Sequence, residues 1–152
     1  MLIKKIQESD MPQALDLIWD SFLFFVAPDY TKEGVETFYN LLHNSQAIQE
    51  DEFWGAFENG RCLGVIASRK GRTHICFFFI KKDEVNKGIG KILFSSFLNI
   101  CPHNTITVNS SPYAVGIYKK LGFIQCGEEQ TQEGIVFTPM IYERQIKIYL
   151  TD

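Results

Sequence analysis

The chain has 152 residues, of which 45% are hydrophobic and 22% charged, as expected for one globular domain spanning residues 1–152. A net charge of −3 lacks the basic excess of nucleic-acid-binding proteins, so we expect no nucleic-acid partner. No apolar run approaches the roughly 20 residues of a membrane span and no signal peptide is recognisable, so we expect a cytoplasmic protein without membrane attachment. The four cysteines and three histidines lack metal-ligand spacing, and we expect free thiols and no metal.

The first third of the chain predicts a strand followed by two helices. Leu2–Gln7 reads as a short strand, and Ser9–Phe25 starts with an N-cap signal and a proline in its first turn. Thr31–Asn44 predicts a second, weaker helix. The faces that we expect to be buried are Met11, Ala14, Leu15, Ile18 and Phe22 in the first helix, and Val35, Phe38, Tyr39 and Leu42 in the second.

The middle of the chain predicts adjacent strands. Two apolar runs within Glu52–Lys70 are joined by Asn59-Gly60, the strongest short-range hairpin signal. Arg72–Lys82 follows as a third strand, whose apolar centre favours burial on both faces.

The last third alternates helices and strands. Helices are predicted at Gly88–Ile100 and Ser111–Gly122, the second with Ser111 as N-cap and Pro112 at its first position. Strands are predicted at Asn104–Asn109, Phe123–Gln130 and Ile135–Leu150. The order β-α-α-β-β-β-α-β-α-β-β defines an α+β fold.

Two glycines, Gly88 and Gly90, stand where a strand gives way to a helix. A dinucleotide-binding loop would need a third glycine at the position of Leu93. A P-loop would need a glycine at the position of Val85 and a hydroxyl residue at the position of Ile92. Both phosphate motifs are therefore excluded, which leaves a plain turn or a different anion cradle.

The segment from Val85 to Gly90 resembles motif A of the GNAT superfamily of acyl-CoA N-acyltransferases, a loop of the form Gln/Arg-x-x-Gly-x-Gly/Ala before a helix. The segment from Ser111 to Phe123 looks like the family's motif B, with Ala114, Tyr118 and Gly122 in register. The order of elements matches along nearly the whole chain. The resemblance implies a central mixed, mainly antiparallel sheet of about seven strands flanked by four helices.

The resemblance implies that acetyl-CoA is the co-substrate, with its pyrophosphate held by backbone amides of the glycine loop. The strand end before the loop would pair with the pantetheine arm and polarise the thioester. Val85 replaces the family's Gln/Arg and Ser111 replaces its Asn, so two polar side-chain contacts are lost. The implied coenzyme-binding residues are Phe78, Phe79, Ile80, Val85, Asn86, Lys87, Gly88, Ile89, Gly90, Lys91, Ser111, Ala114 and Tyr118.

Two side chains are the candidates for proton transfer. The family places a tyrosine at the position of Tyr118 as general acid for the departing thiolate, and a phenol is protonated at neutral pH. His74 is the candidate base, on the same strand face as Phe78 and Ile80 if pairing is regular. Alternatives are a water-mediated role for the acidic run at 50–52 and a nucleophilic Cys76.

The segment between the first two helices flanks the acceptor site in this family, which makes Phe24, Phe25, Asp29 and Tyr30 candidates for acceptor binding. The predicted function is acetyl transfer from acetyl-CoA to a primary amine of a small molecule or peptide. The alternative is a catalytically inactive acyl-CoA-binding sensor of the same fold. The aromatic C-terminal strand could also pair in a homodimer.

Overall fold

The computed structural model describes residues 1–144, which form an α+β fold with eight strands and five α-helices. The class predicted from the sequence is confirmed, and the short α3 and β7 are additions to it. No helix among these residues has both the length and the apolar character needed to cross a bilayer. The elements are β1 (Leu2–Lys5), α1 (Met11–Phe25), α2 (Lys32–Leu42), α3 (Ser45–Gln49), β2 (Asp51–Glu58), β3 (Arg61–Arg69), β4 (His74–Ile80), α4 (Ile89–Ile100), β5 (Thr105–Ser110), α5 (Val115–Leu121), β6 (Ile124–Gln125), β7 (Gln130–Gln132) and β8 (Ile135–Glu143).

The sheet is mainly antiparallel. Its strand order is β1-β2-β3-β4-β5-β8-β6, with β7 paired to β8. Asn59 and Gly60 have φ of 52° and 77°, the left-handed pair that a two-residue hairpin turn requires, so the predicted β2–β3 hairpin is confirmed. Within the described residues, β4 and β5 form the sheet's parallel pair.

Helices cover both faces of the sheet. The α1/α2 face buries Ile18 from α1 with Phe53 and Phe77 from the sheet. On the α4/α5 face, Leu93 and Phe97 pack on Ile75 and Ile106. The helical spacing that predicted α1 is confirmed, since Ala14, Ile18 and Phe22 are all fully buried.

A β-bulge interrupts the β3–β4 ladder. Ala67 pairs with Phe77, whereas Ser68 pairs with Ile75, so Cys76 is an extra residue in β4. Residues two apart in a regular strand point to the same face of the sheet. Here the bulge places Ile75 in the α4/α5 core and Phe77 in the α1/α2 core, on opposite faces. His74 therefore lies on the α1/α2 face. The expectation that it shares a face with Phe78 and Ile80 is wrong.

The predicted buried face of α2 is confirmed at Leu42 and Phe38 but not at Tyr39. Tyr39 is exposed, and Gly34 is buried instead. Gly34 lies against Gly134 in the β7–β8 turn so closely that a Cβ built on Gly34 would overlap the Gly134 carbonyl oxygen. The Thr37 hydroxyl donates a 2.7 Å hydrogen bond to the Glu133 carbonyl beside this contact. The N-terminal part of α2 is thus fastened to the β7–β8 hairpin, and we call this contact the clamp.

Element ends in the last third of the chain also differ. Helix α5 begins at Val115, three residues after the predicted start, because Ser111 and its neighbours form a preceding turn. Gly122 ends the helix with φ of 107°, as predicted. The predicted strand over 123–130 is instead two short strands, β6 and β7. Strand β8 ends at Glu143, and the rest of its predicted length lies outside the described residues.

Candidate active site

The sheet opens into a cleft where β4 and β5 separate. The two strands pair only at His74 with Thr107 and at Ile75 with Val108. Beyond this point β4 stays on β3 and β5 stays on β8, so the two strands diverge. The edge of residues 78–80 that faces β5 consequently has no strand partner. A cleft of about 1330 Å³ lies here, lined by residues from both faces of the sheet.

The glycine loop forms one wall of this cleft. Asn86 and Gly88 both adopt left-handed backbone conformations, with φ of 64° and 83°, and Gly88 is the N-cap of α4. The first amide to bond back into the helix is that of Ile92, which donates to the Gly88 carbonyl. Within the described residues, the six amides from Asn86 to Lys91 donate no backbone hydrogen bond. These donors, at the positive end of a helix dipole, form a site suited to an anion.

Most residues predicted to hold a coenzyme line the cleft. Lys87 is an exception, because its ammonium group pairs with Glu84 at 3.0 Å and lies outside the lining. The Ile80 carbonyl accepts a hydrogen bond from the buried Ser21 hydroxyl at 3.2 Å, so this acceptor is already used. The predicted residues in the lining are Phe78, Phe79, Ile80, Val85, Asn86, Gly88, Ile89, Gly90, Lys91, Ser111, Ala114 and Tyr118.

Tyr118 lies at the cleft on the α4/α5 face. Its ring packs edge-on against Phe123 and Phe78, at centroid distances of 5.1 and 6.1 Å. Burial raises the pKa of the Tyr118 hydroxyl above its ordinary value of 10.0. The phenol therefore stays protonated at neutral pH and is available as a donor.

His74 reaches the cleft from the α1/α2 face. Its Nδ1 lies 2.8 Å from the Thr107 hydroxyl, which in turn donates to the Thr73 carbonyl at 3.3 Å. With the single hydroxyl proton of Thr107 assigned to the Thr73 carbonyl, Nδ1–H is the donor to Thr107 and Nε2 carries the free lone pair. Burial, with a smaller contribution from Arg69, lowers the pKa of His74 below 6.5. The ring is therefore uncharged at neutral pH.

The surroundings of the two alternatives to a histidine base differ. Burial raises the pKa of the Cys76 thiol to about 11, so this group is not a thiolate at neutral pH. Asp51 lines the cleft, and burial raises the pKa of its carboxyl, which strengthens this group as a base, so the water-mediated role of the acidic run remains an alternative. Glu52 is paired with Arg72 at 3.2 Å.

The predicted acceptor residues divide into two pairs. Phe25 and Tyr30 line the cleft, whereas Phe24 and Asp29 lie outside its lining. Phe24 is 58% exposed and lies against Lys82, whose Nζ is 5.4 Å from the ring centroid.

Sequence reasoning did not single out three further lining residues. Phe38 stacks on Phe22 at a centroid distance of 3.8 Å, and Tyr113 stacks on Phe25 at 4.8 Å. Asn109 follows the last paired residue of β5, where that strand leaves β4. Helical spacing marked Phe38 only as a core residue, and no sequence signal locates Asn109 at the point of divergence.

This combination of a divided sheet, a glycine loop and an amphipathic cleft is matched by a known family. The family model described as acetyltransferase (GNAT) domain matches residues 26–144. The chain belongs to the GNAT acetyltransferase family and is an acyltransferase.

Individual relatives are more distant. A peptidyl-lysine N-acetyltransferase, YjaB of Salmonella typhimurium, is 38% identical over 61 residues, which cover 40% of this chain and 42% of that protein. The chain therefore matches less than half the length of this curated relative. A GCN5-related N-acetyltransferase from Rhodopseudomonas palustris has the same fold, with a TM-score of 0.82 at 16% identity and with 94% and 95% of the two chains covered. PaiA N-acetyltransferase of Thermoplasma acidophilum, solved in complex with coenzyme A, also has this fold. Its TM-score is 0.68 at 20% identity, with 94% of this chain and 98% of that chain covered.

Proposed function

We propose that this protein transfers an acetyl group from acetyl-CoA directly to a primary amine. The observation that carries the proposal is the row of unpaired amides from Asn86 to Lys91 beside the gap between β4 and β5. A phosphate anion fits the amides, and an extended arm fits the free strand edge. The coenzyme A in the Thermoplasma relative supports this choice, and the lysine specificity in the name of the Salmonella relative supports an amine acceptor.

The loop amides bind the pyrophosphate through donors that the protein fold leaves unused. A Cβ built on Gly88 would meet no atom within 4 Å, so the loop is open on the side where an anion approaches. The losses at Val85 and Ser111 concern side chains, whereas the amide contacts depend on backbone shape. We therefore expect coenzyme binding to survive both departures from the family pattern.

The free edge of β4 orients the thioester. Backbone groups of residues 78–80 that face β5 pair with the pantetheine arm, and an N–H in this edge donates to the thioester carbonyl. Such a preorganised donor stabilises the negative charge that develops on the oxygen, and losing one donor typically costs about 3 kcal/mol.

Two side chains handle the protons. The Nε2 atom of His74 accepts the proton from the amine, whose nitrogen attacks the carbonyl carbon. Tyr118 donates to the sulfur as the carbon–sulfur bond breaks, and its proton neutralises the departing thiolate. The products are an amide and coenzyme A.

Thermal unfolding with and without acetyl-CoA tests the binding step. A ligand at 100 times its dissociation constant adds about 2.7 kcal/mol of stability, a shift that is easily measured. The expected shift requires the pyrophosphate, so pantetheine alone should give little. Absence of a shift at millimolar acetyl-CoA would contradict the proposal. A shift without acetylation of any amine would point to a sensor.

A matched pair of variants tests whether the glycine loop binds acetyl-CoA. Gly88 and Gly60 have similar φ of 83° and 77°, and a Cβ on either meets nothing within 4 Å. Leucine should therefore impose a similar backbone strain at both positions, on the order of 1–2 kcal/mol. We expect Gly88→Leu to lose the acetyl-CoA shift and Gly60→Leu to retain it.

A further inference from the structure

The half of the cleft on the α1/α2 face has an aromatic wall. Phe25, Tyr30, Phe38 and Phe79 are half-buried and line it. The rings support one another: Phe38 packs edge-on against Phe79 with a centroid distance of 6.1 Å, and Tyr30 packs edge-on against the buried Phe22 at 5.5 Å. This wall offers flat apolar surface in the cleft that His74 also lines.

The hydroxyl groups beside this wall are already used in hydrogen bonds to the β7–β8 hairpin. The Tyr30 hydroxyl donates to the Val136 carbonyl at 3.1 Å, and Thr37 donates to the Glu133 carbonyl. Burial and the nearby Asp29 raise the pKa of Tyr30 to about 12, so its hydroxyl stays neutral. The wall therefore presents neither charge nor a free donor to a ligand. The Gly34–Gly134 contact holds α2, which carries Phe38, against the β7–β8 hairpin.

The charged residues that line this half are gathered at one end and carry both signs. Asp51 and Arg69 are partners in the β2–β3 ladder, and Glu50 and Lys70 are their chain neighbours. Two carboxylates thus lie close to two cations at that end of the cleft. A polycationic acceptor would need several free carboxylates along the cleft, and the aromatic wall supplies none.

We propose that the acceptor is a small free amine with an apolar body, aryl or alkyl, that packs on the rings of Phe25, Tyr30, Phe38 and Phe79. This inference rests on the proposed function and names its substrate class. The neutral amine nitrogen forms the new bond to the acetyl carbon, the carbon–sulfur bond breaks, and the proton that the attacking nitrogen loses passes to His74. A polyamine, an aminoglycoside or a lysine on a folded protein surface brings little aryl or alkyl surface to this aromatic wall.

The test compares acceptors with the full chain and saturating acetyl-CoA. The probes are phenethylamine, hexylamine, spermidine, kanamycin, a lysine-containing peptide and a folded lysine-rich protein. Thiol release and the mass of the product are both followed. We expect kcat/KM for phenethylamine and hexylamine to exceed that of each other probe by about tenfold or more. Preference for any of the other four would overturn the inference.

The double variant Tyr30→Phe with Thr37→Val loosens the clamp and keeps the aromatic wall. It should raise KM for phenethylamine and reduce the ratio of kcat/KM for phenethylamine to kcat/KM for the lysine peptide. The thermal shift with acetyl-CoA should be retained. Unchanged selectivity in a variant that still binds acetyl-CoA would overturn the role of the clamp.

Failure of the inference and failure of the proposed function look different. Preferential acetylation of a polar or protein amine would contradict the inferred substrate class but would still support the proposed acetyltransferase activity. Binding of acetyl-CoA without acetylation of any probe removes the proposed function and this inference with it.

Discussion

Burial determines what the Tyr118 hydroxyl can do. A phenol whose pKa is raised by desolvation remains a donor across the physiological range, and it stabilises a thiolate that forms beside it. Removing the hydroxyl in Tyr118→Phe should lower kcat by about 100-fold, because general acids contribute roughly 10²–10⁴. Acetyl-CoA affinity, measured by thermal shift, should change little since the ring stays.

Tyr39→Phe is the matched control for this variant. Tyr39 is exposed on α2 and lies outside the cleft lining, so its loss should leave kcat unchanged. Equal rates for the wild type and Tyr118→Phe would remove the acid role.

His74 predicts a distinctive pH dependence. Its pKa lies below 6.5, so the neutral, active form predominates above that value and is lost as the pH falls through the lowered pKa. The amine acceptor must also be neutral to attack, and its pKa is far higher, near that of lysine at about 10.4. On a logarithmic plot, kcat/KM should therefore rise with slope two below the pKa of His74 and with slope one above it.

The variant His74→Gln should give slope one throughout the acidic range and a lower rate. His43→Gln is the control, because His43 lies outside the cleft lining at the end of α2 and its loss should leave both slopes in place. A slope of two that persists without His74 would identify another base.

At the scale of elements, the sequence correctly predicted turns and helix ends, because these depend on residues that are close together in the chain. The turn at Asn59-Gly60 and the end of α5 at Gly122 require left-handed backbone, and glycine or asparagine there was sufficient evidence. The glycine loop was located by two motifs in register. Its unpaired amides follow from the general geometry of a helix start.

Features that depend on distant partners were not predictable. The bulge at Cys76 arises from pairing with β3, and alternating hydrophobicity in β4 gives no sign of it. It places His74 on the α1/α2 face of the sheet, opposite to the face expected. The burial of Gly34 depends on Gly134, which is 100 positions away in the sequence and supplies no local signal.

At the scale of the whole molecule, the two halves of the cleft, on the α1/α2 and α4/α5 faces, meet where β4 and β5 diverge. Most residues proposed for the coenzyme come from the α4/α5 side and those proposed for the acceptor from the α1/α2 side, and the gap between β4 and β5 connects them. Because strand pairing no longer links β4 to β5 beyond Ile75, other contacts must hold the halves in place. The clamp is one of these, since it joins α2 to the hairpin next to β8.

Two helical glycines provide the test of the clamp. A methyl group on Gly34 would overlap the Gly134 carbonyl, whereas a Cβ on Gly116 in α5 meets nothing within 4 Å. Alanine favours a helix over glycine by roughly 0.5–1 kcal/mol, so Gly116→Ala should raise the free energy of unfolding by up to about that amount. Gly34→Ala should lower it by about 1–3 kcal/mol, because overpacking forces α2 from the hairpin. Urea unfolding of both variants measures the difference, and equal stabilisation would mean that α2 is not fastened at Gly34.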